Sequence, residues 1–444
     1  MMNRVCIINV VGLTARLLAD APAIRSLAGN PPSDNLAGGG KQFMPWTSPL
    51  PAVTCTSQAT MLTGLAPRDH GVVGNGWYYR ETQEIRFWQQ ARSLVEGSAF
   101  YDDFETAKMF WWFNQSSTAR YSCTPKPHYG CDGSKVFDVL DHTGCDLTGR
   151  HGAFPFFTFW GPGAGLPCSR WIAEATATVL REKQPQITLA YLPHLDYDFQ
   201  RFPDHDPARV AEVDQCVQTI LTAADEIGAQ VVIVSEYGLV PVDRPVHINR
   251  VLRQAGWLSV RNGPFGEVLM PGESKAFAVA DHQLAHVYVN DPGLVASVRK
   301  ELESVPGIGG VFDPGDLELD HPRSGELIAL AQPDAWFTYY YWNDDALAPD
   351  FARTVDIHRK PGYDPCELFM TSKVRVAARL LQKKLGMRYK MDVIPLDPTL
   401  VRGSHGLHPD PIDGPIIIGP SGEHPLPSDM RGFAGYIRSL LGAR

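Results

Sequence analysis

Three short apolar runs, Val5–Val11, Ile187–Leu192 and Val231–Ser235, stand out along the 444 residues of the chain. Each is nearly continuous in its apolar character, and none alternates. That is the pattern of a strand covered on both faces, as in a parallel sheet sandwiched by helices. Between the last two runs, Val210, Val213, Val217, Ile220 and Leu221 recur at helical spacing within residues 207–227, which predicts one amphipathic helix. A strand, a helix and a strand in this order form a right-handed crossover unit. Ligands in such sheets sit beyond the carboxyl ends of the strands, so chemistry is expected just after each run.

The first run is about one strand long and too short to span a bilayer. No small-residue cleavage site follows it at secretory spacing. It reads as the first core strand of a cytoplasmic protein. Residues 98–168 differ in character. They are rich in aromatic residues, glycine and cysteine, with MFWWFNQ at 109–115 and FPFFTFWGPG at 154–163. They are expected to form an inserted cap on a core made of 1–97 and 169–408. A βα-rich stretch is expected over roughly 250–330, and residues 409–444 an irregular extension packed on the core.

Composition narrows the function without naming it. With 40 Lys and Arg against 49 Asp and Glu, the net charge is −9. This does not indicate a broad nucleic-acid or anionic-membrane surface. A small, locally positive site for an anionic substrate remains compatible with it. The eight cysteines include no CxxC pair, and in a chain of this length they read as reduced, partly buried thiols.

The segment PLPAVTCTSQATMLTGLAPRDHGVVGNGWYYRE, residues 49–81, is a proline-marked loop, a Ser/Thr-rich helix start and a series of glycine turns. A hydroxyl at a helix N-terminus lies beside free N–H groups that favour an anion. By spacing alone, Thr54 or Thr56 reads first as a simple cap. The segment resembles the nucleophile region of the nucleotide pyrophosphatase/phosphodiesterase branch of the alkaline phosphatase superfamily. Pro51, Thr54, Thr60, Thr63, Gly64, Pro67, His70, Gly71 and Asn75 fall in register with that pattern, while Thr56, Ser57 and Gln58 replace the usual residues after the nucleophile. The resemblance covers nearly the whole chain and implies an α/β fold, the superfamily's three-layer α/β/α sandwich. It makes Thr54 the attacking group that forms a phosphothreonine, and Asn75 a donor to a phosphoryl oxygen.

The same resemblance implies two zinc ions that ionise the nucleophile, and here the sequence departs from the family. The carboxylate expected after the first strand is Val11. The Asp-x-x-x-His position reads Asp196 and Gln200. Ser-Asp-His-Gly has become Ser235-Glu236-Tyr237-Gly238, and the C-terminal His-Gly survives as His405-Gly406. The resemblance therefore implies at most one divalent metal (Zn, Mn, Fe or Mg) on Asp196, Glu236 and His405, with His247 as a replacement ligand, and not a two-zinc site. His194, Asp198 and His205 are further nearby candidates. Asp281, His282 and His286 in ADHQLAHVYV read as a solvated loop.

The expected activity is a phosphodiester or pyrophosphate-type hydrolase or phosphoryl transferase acting on a small phosphorylated substrate. Trp77, Tyr79 and Tyr237 are candidates for covering the substrate's ring. Neither a nucleic-acid polymer nor a membrane is an expected partner. Two alternatives stand beside this reading. One is a silent member that binds a phosphorylated or cyclic ligand in the old cleft. The other is a repurposed enzyme with Glu236 and Tyr237 as an acid–base pair.

Overall fold

A computed structural model describes residues 3–28, 43–129, 135–202, 204–420 and 425–442. The three apolar runs become adjacent strands. In chain order the elements that position the site are β1 (Val5–Val10), β2 (Phe43–Pro45), α1 (Thr54–Thr63), β3 (Thr106–Met109), β4 (Tyr121–Pro125) and β5 (Val139–Asp141). They continue with α2 (Leu166–Lys183), β6 (Ile187–Leu192), α3 (His194–Arg201), α4 (Pro207–Glu226) and β7 (Gln230–Val234). The remainder are β8 (Ala276–Asp281), β9 (Leu284–Val289), β10 (Ile308–Phe312), β11 (Leu327–Ala331), α5 (Lys373–Lys384), β12 (Ile416–Ile418) and α6 (Phe433–Leu440).

Eight strands form the central sheet in the order β2-β12-β7-β1-β6-β3-β4-β5. The inner strands β7, β1, β6, β3 and β4 run parallel, in register from Val5 beside Ile187 and Gln230. The flanking pairs are antiparallel. Every residue of β1 and β6 is buried, which is why neither strand could alternate. The predicted helix is α4, which packs on α2 beside the sheet. Four antiparallel strands, β8-β9-β11-β10, build a second sheet with its own apolar core.

Two of the expected boundaries change. Residues 98–168 are not a separate insertion, because β3, β4 and β5 extend the central sheet. Their strand character was hidden: β3 is only four residues long and carries Lys108, whose buried amino group donates to the Phe113 carbonyl at 2.9 Å. Nor are residues 409–444 merely irregular, since β12 inserts between β2 and β7 and α6 packs on α1.

Candidate active site

The carboxyl ends of β1, β6 and β7 and the start of α1 converge, as the parallel topology requires. Thr54 is the first residue of α1 and is almost wholly buried, with its hydroxyl 3.1 Å from the Tyr237 phenol oxygen. Tyr237 follows β7 and donates to Asp196 Oδ1 over a long 3.4 Å. Asp196 sits in the first turn of α3, just beyond β6. The hydrogen-bond chain therefore runs from Thr54 through Tyr237 to a carboxylate. Gly238 lets this turn pass close to the 413 carbonyl, since a Cβ there would lie 1.6 Å from the Asp413 oxygen.

Each carboxylate nearby is engaged within the protein. Asp196 Oδ2 accepts from Gln200 Nε2 at 2.8 Å, and Gln200 Oε1 accepts from Tyr363 at 2.7 Å. Burial raises Asp196 to about 7. Glu236 is completely buried, and its Oε1 accepts from Asn9 Nδ2 and Gln58 Nε2, both at 2.5 Å. Burial raises it to about 8, while Glu236 Oε2 and Asn9 Oδ1 have no partner. Gln58 is itself fixed by the Trp112 amide, which donates to its Oε1 at 2.8 Å. The residues that depart from the family after Thr54 thus include the one that holds Glu236.

His405 donates from Nδ1 to the Ala52 carbonyl at 2.8 Å and leaves Nε2 3.6 Å from Asp196 Oδ1. Burial lowers it to about 3, so it is neutral. Its ring lies between Tyr237 and His282, at 3.6 Å from each, and His282 stacks in turn on Tyr363 at 3.7 Å. The column Tyr237–His405–His282–Tyr363 forms one wall of a cleft of about 2020 Å³ that also exposes Thr54, Trp112, Tyr191 and Asp196.

Several expected residues lie elsewhere. His247 bonds to Thr338 at 2.8 Å and stacks on Tyr340, away from the cleft wall. Trp77 and Tyr79 stack on each other at 5.5 Å outside the cleft. His194 faces Asp198 at 3.1 Å and His205 faces Asp20 at 3.2 Å. Asn75 is near Thr54 but occupied: its Oδ1 accepts from the Cys55 amide at 3.0 Å and its Nδ2 donates to Asp281 Oδ1 at 3.1 Å. Asp281 and His282 are not a solvated loop. They close a buried β8–β9 hairpin, with His282 at φ +61°, and His286 is buried against the Val73 carbonyl at 2.8 Å. The histidine spacing marked this segment in the sequence, but only the hairpin brings His282 to the wall.

The donor set does not fit the implied metal. Among the described residues no three His, Cys, Asp or Glu side chains come together around one point. Asp196 and His405 face each other, but Glu236 is turned toward two amides and off the cleft wall. The expected one-ion set of Asp196, Glu236 and His405 is therefore not assembled, and no step is routed through a metal.

Comparison with known proteins fits this frame. The family described as type I phosphodiesterase / nucleotide pyrophosphatase matches residues 5–364. None of the curated proteins matches the chain. Among solved structures, phosphonoacetate hydrolase from Sinorhizobium meliloti 1021 in complex with phosphonoformate is 14% identical, with a TM-score of 0.59 over 99% of this chain and 96% of that one. Murine ectonucleotide pyrophosphatase / phosphodiesterase 5 is 11% identical, with a TM-score of 0.58 over 100% of this chain and 96% of that one. An inactive variant of the murine protein is in complex with AMP. At these identities the likeness is one of fold. Among the described residues, no helix is long and apolar enough to cross a membrane.

Proposed function

The chain belongs to the type I phosphodiesterase / nucleotide pyrophosphatase family, and from that premise we propose that it is a phosphoric-ester hydrolase or phosphoryl transferase with Thr54 as the attacking group. The observation that carries this reading is the chain Thr54–Tyr237–Asp196, with the hydroxyl at the N-terminus of α1 and on the cleft wall. In the first step a bond forms from Thr54 Oγ1 to phosphorus and the bond to the ester leaving group breaks. The Thr54 proton passes to Tyr237 as Tyr237 passes its own to Asp196. Water then cleaves the phosphothreonine and restores the hydroxyl. The positive end of α1 opposes the charge gathering on the phosphoryl oxygens. A small phosphorylated substrate fits this role, and AMP in the murine neighbour is of that class.

The experiment is hydrolysis of bis-p-nitrophenyl phosphate and p-nitrophenyl phosphate by wild type and Thr54→Ala, with acid-quenched protein analysed by mass spectrometry for phosphate on Thr54. Turnover and a Thr54 adduct, both lost in the variant, support the proposal. Turnover that survives Thr54→Ala overturns it.

One set of contacts favours a second reading, ligand binding without turnover. Asp196, Glu236 and Asn75 are each bonded within the protein. Saturable binding of a nucleoside monophosphate, with no turnover and no adduct, is the outcome that selects it.

A further inference from the structure

Helix α5 has the sequence KVRVAARLLQKK and no buried residue. Val374, Ala378, Leu381 and Leu385 recur at spacings of four, three and four, so they form one stripe along the helix and into its C-terminal cap, and all four are exposed. Val374 is 80% exposed and Leu385 62%. The polar side is the one tied down. Arg375 and Arg379 both bind Asp392, at 2.5 and 2.7 Å. The helix is thus anchored through these arginines and through half-buried Val376, which packs beside Val393 and Ile394, and it turns the Val374–Leu385 stripe to solvent.

The surrounding charge is one-sided. Residues 373–390 contain seven Lys and Arg and no acidic residue, in a chain whose net charge is −9. Lys373 and Lys384 flank one side of the stripe, as in helices that lie in a membrane interface with cations beside an apolar face.

A second observation extends beyond the helix to other segments of the chain. Val376, Leu380 and Met387 line the mouth of the Thr54 cleft. Phe137, Phe157 and Phe265 line the same cleft and are 38%, 70% and 61% exposed. Exposed large apolar side chains on a folded surface mark an interaction site when they cluster. Here they belong to separate segments of chain gathered around one cavity. A broken ring of aromatic and aliphatic residues suits a deformable surface better than a single protein groove, and the cations select a negative one.

We propose that the rim of the cleft, led by α5, docks on an anionic lipid bilayer, with Leu381 and Leu385 entering the interface and Lys373 and Lys384 meeting the headgroups. This replaces the sequence-based expectation of no membrane partner, which rested on net charge; a net charge of −9 conceals a segment whose charged residues are all basic. The proposal does not depend on the chemistry at Thr54.

The test is sedimentation of the full chain with vesicles of phosphatidylcholine alone or mixed with phosphatidylglycerol. Wild type should bind the anionic vesicles at least about tenfold more strongly, with binding weakened by salt. Leu381→Glu/Leu385→Glu and Lys373→Glu/Lys384→Glu should each lower binding about tenfold or more. Unfolding curves matching wild type show that these exposed variants fold. Thr54→Ala should bind as wild type does, which separates this result from any failure of the catalytic reading. Absence of vesicle binding, or binding indifferent to both double variants, overturns the proposal. So does a dimer in light scattering that Leu381→Glu/Leu385→Glu dissociates, which would make the stripe a contact between copies. Capture by immobilised polyglutamate without vesicle binding also overturns it, in favour of an acidic protein.

Discussion

The imidazole of His405 lies face to face with the phenol of Tyr237, 3.6 Å between ring centroids and 7° between planes. In the family pattern both positions would present imidazole nitrogens to metal. Here Tyr237 turns its hydroxyl to Thr54 and Asp196, and its ring becomes a packing surface for the surviving histidine. Where the resemblance sets an imidazole, this chain has a phenol that forms a hydrogen-bond relay between Thr54 and Asp196.

That relay can be cut without disturbing the stack. Tyr237→Phe keeps the ring against His405 and removes the hydroxyl that joins Thr54 to Asp196. Turnover of bis-p-nitrophenyl phosphate is expected to fall roughly 100-fold, the scale of one proton-transfer group, with little change in thermal stability. An unchanged kcat would show that Tyr237 only packs.

The clamp on Glu236 is structural. Gln58→Met preserves length and removes the amide that donates to Glu236 and accepts from the Trp112 N–H. Leaving buried polar groups unpaired costs about 1–3 kcal/mol. Urea unfolding should show a loss on that scale with an unchanged m-value, and a loss under a few tenths would mean that the site relaxes.

Stability should also respond to pH through Glu236. Burial holds its folded value at about 8, above the ordinary 4.5. A raised carboxyl stabilises the fold fully below the unfolded value, and that contribution is lost as pH rises through the folded one. Glu236→Gln stays neutral throughout. Measured as Tm, wild type should lose ground to Glu236→Gln between pH 5 and pH 8.5. Parallel pH curves for the two proteins would show that Glu236 is ionised at all these pH values.

Metal dependence follows from the donor set. With no three ligands clustered among the described residues, dialysis against a chelator should leave Tm and ligand binding unchanged, and Zn²⁺ or Mn²⁺ should give no saturable thermal shift. A stabilising shift that disappears in Asp196→Asn and in His405→Gln would show that these two residues recruit an ion after all.

Much of this was legible in the residues. The apolar runs gave the inner strands because a strand buried on both faces must be apolar throughout. The glycine- and threonine-marked segment placed Thr54 at a helix start beside Asn75. The losses at Val11, Gln200 and Tyr237 were equally plain, since a valine cannot coordinate and side-chain identity is a local property. What the sequence could not carry was partnership across long separations. Asn9, Gln58 and Glu236 are 49 to 227 residues apart and meet only because β1 and β7 end where α1 begins. His282 reaches the cleft through a hairpin turn, and His247 is kept from it by Thr338. Spacing along a chain reports which residues share a face; which faces meet, and whether a carboxylate there finds an amide or open space, is decided only by packing.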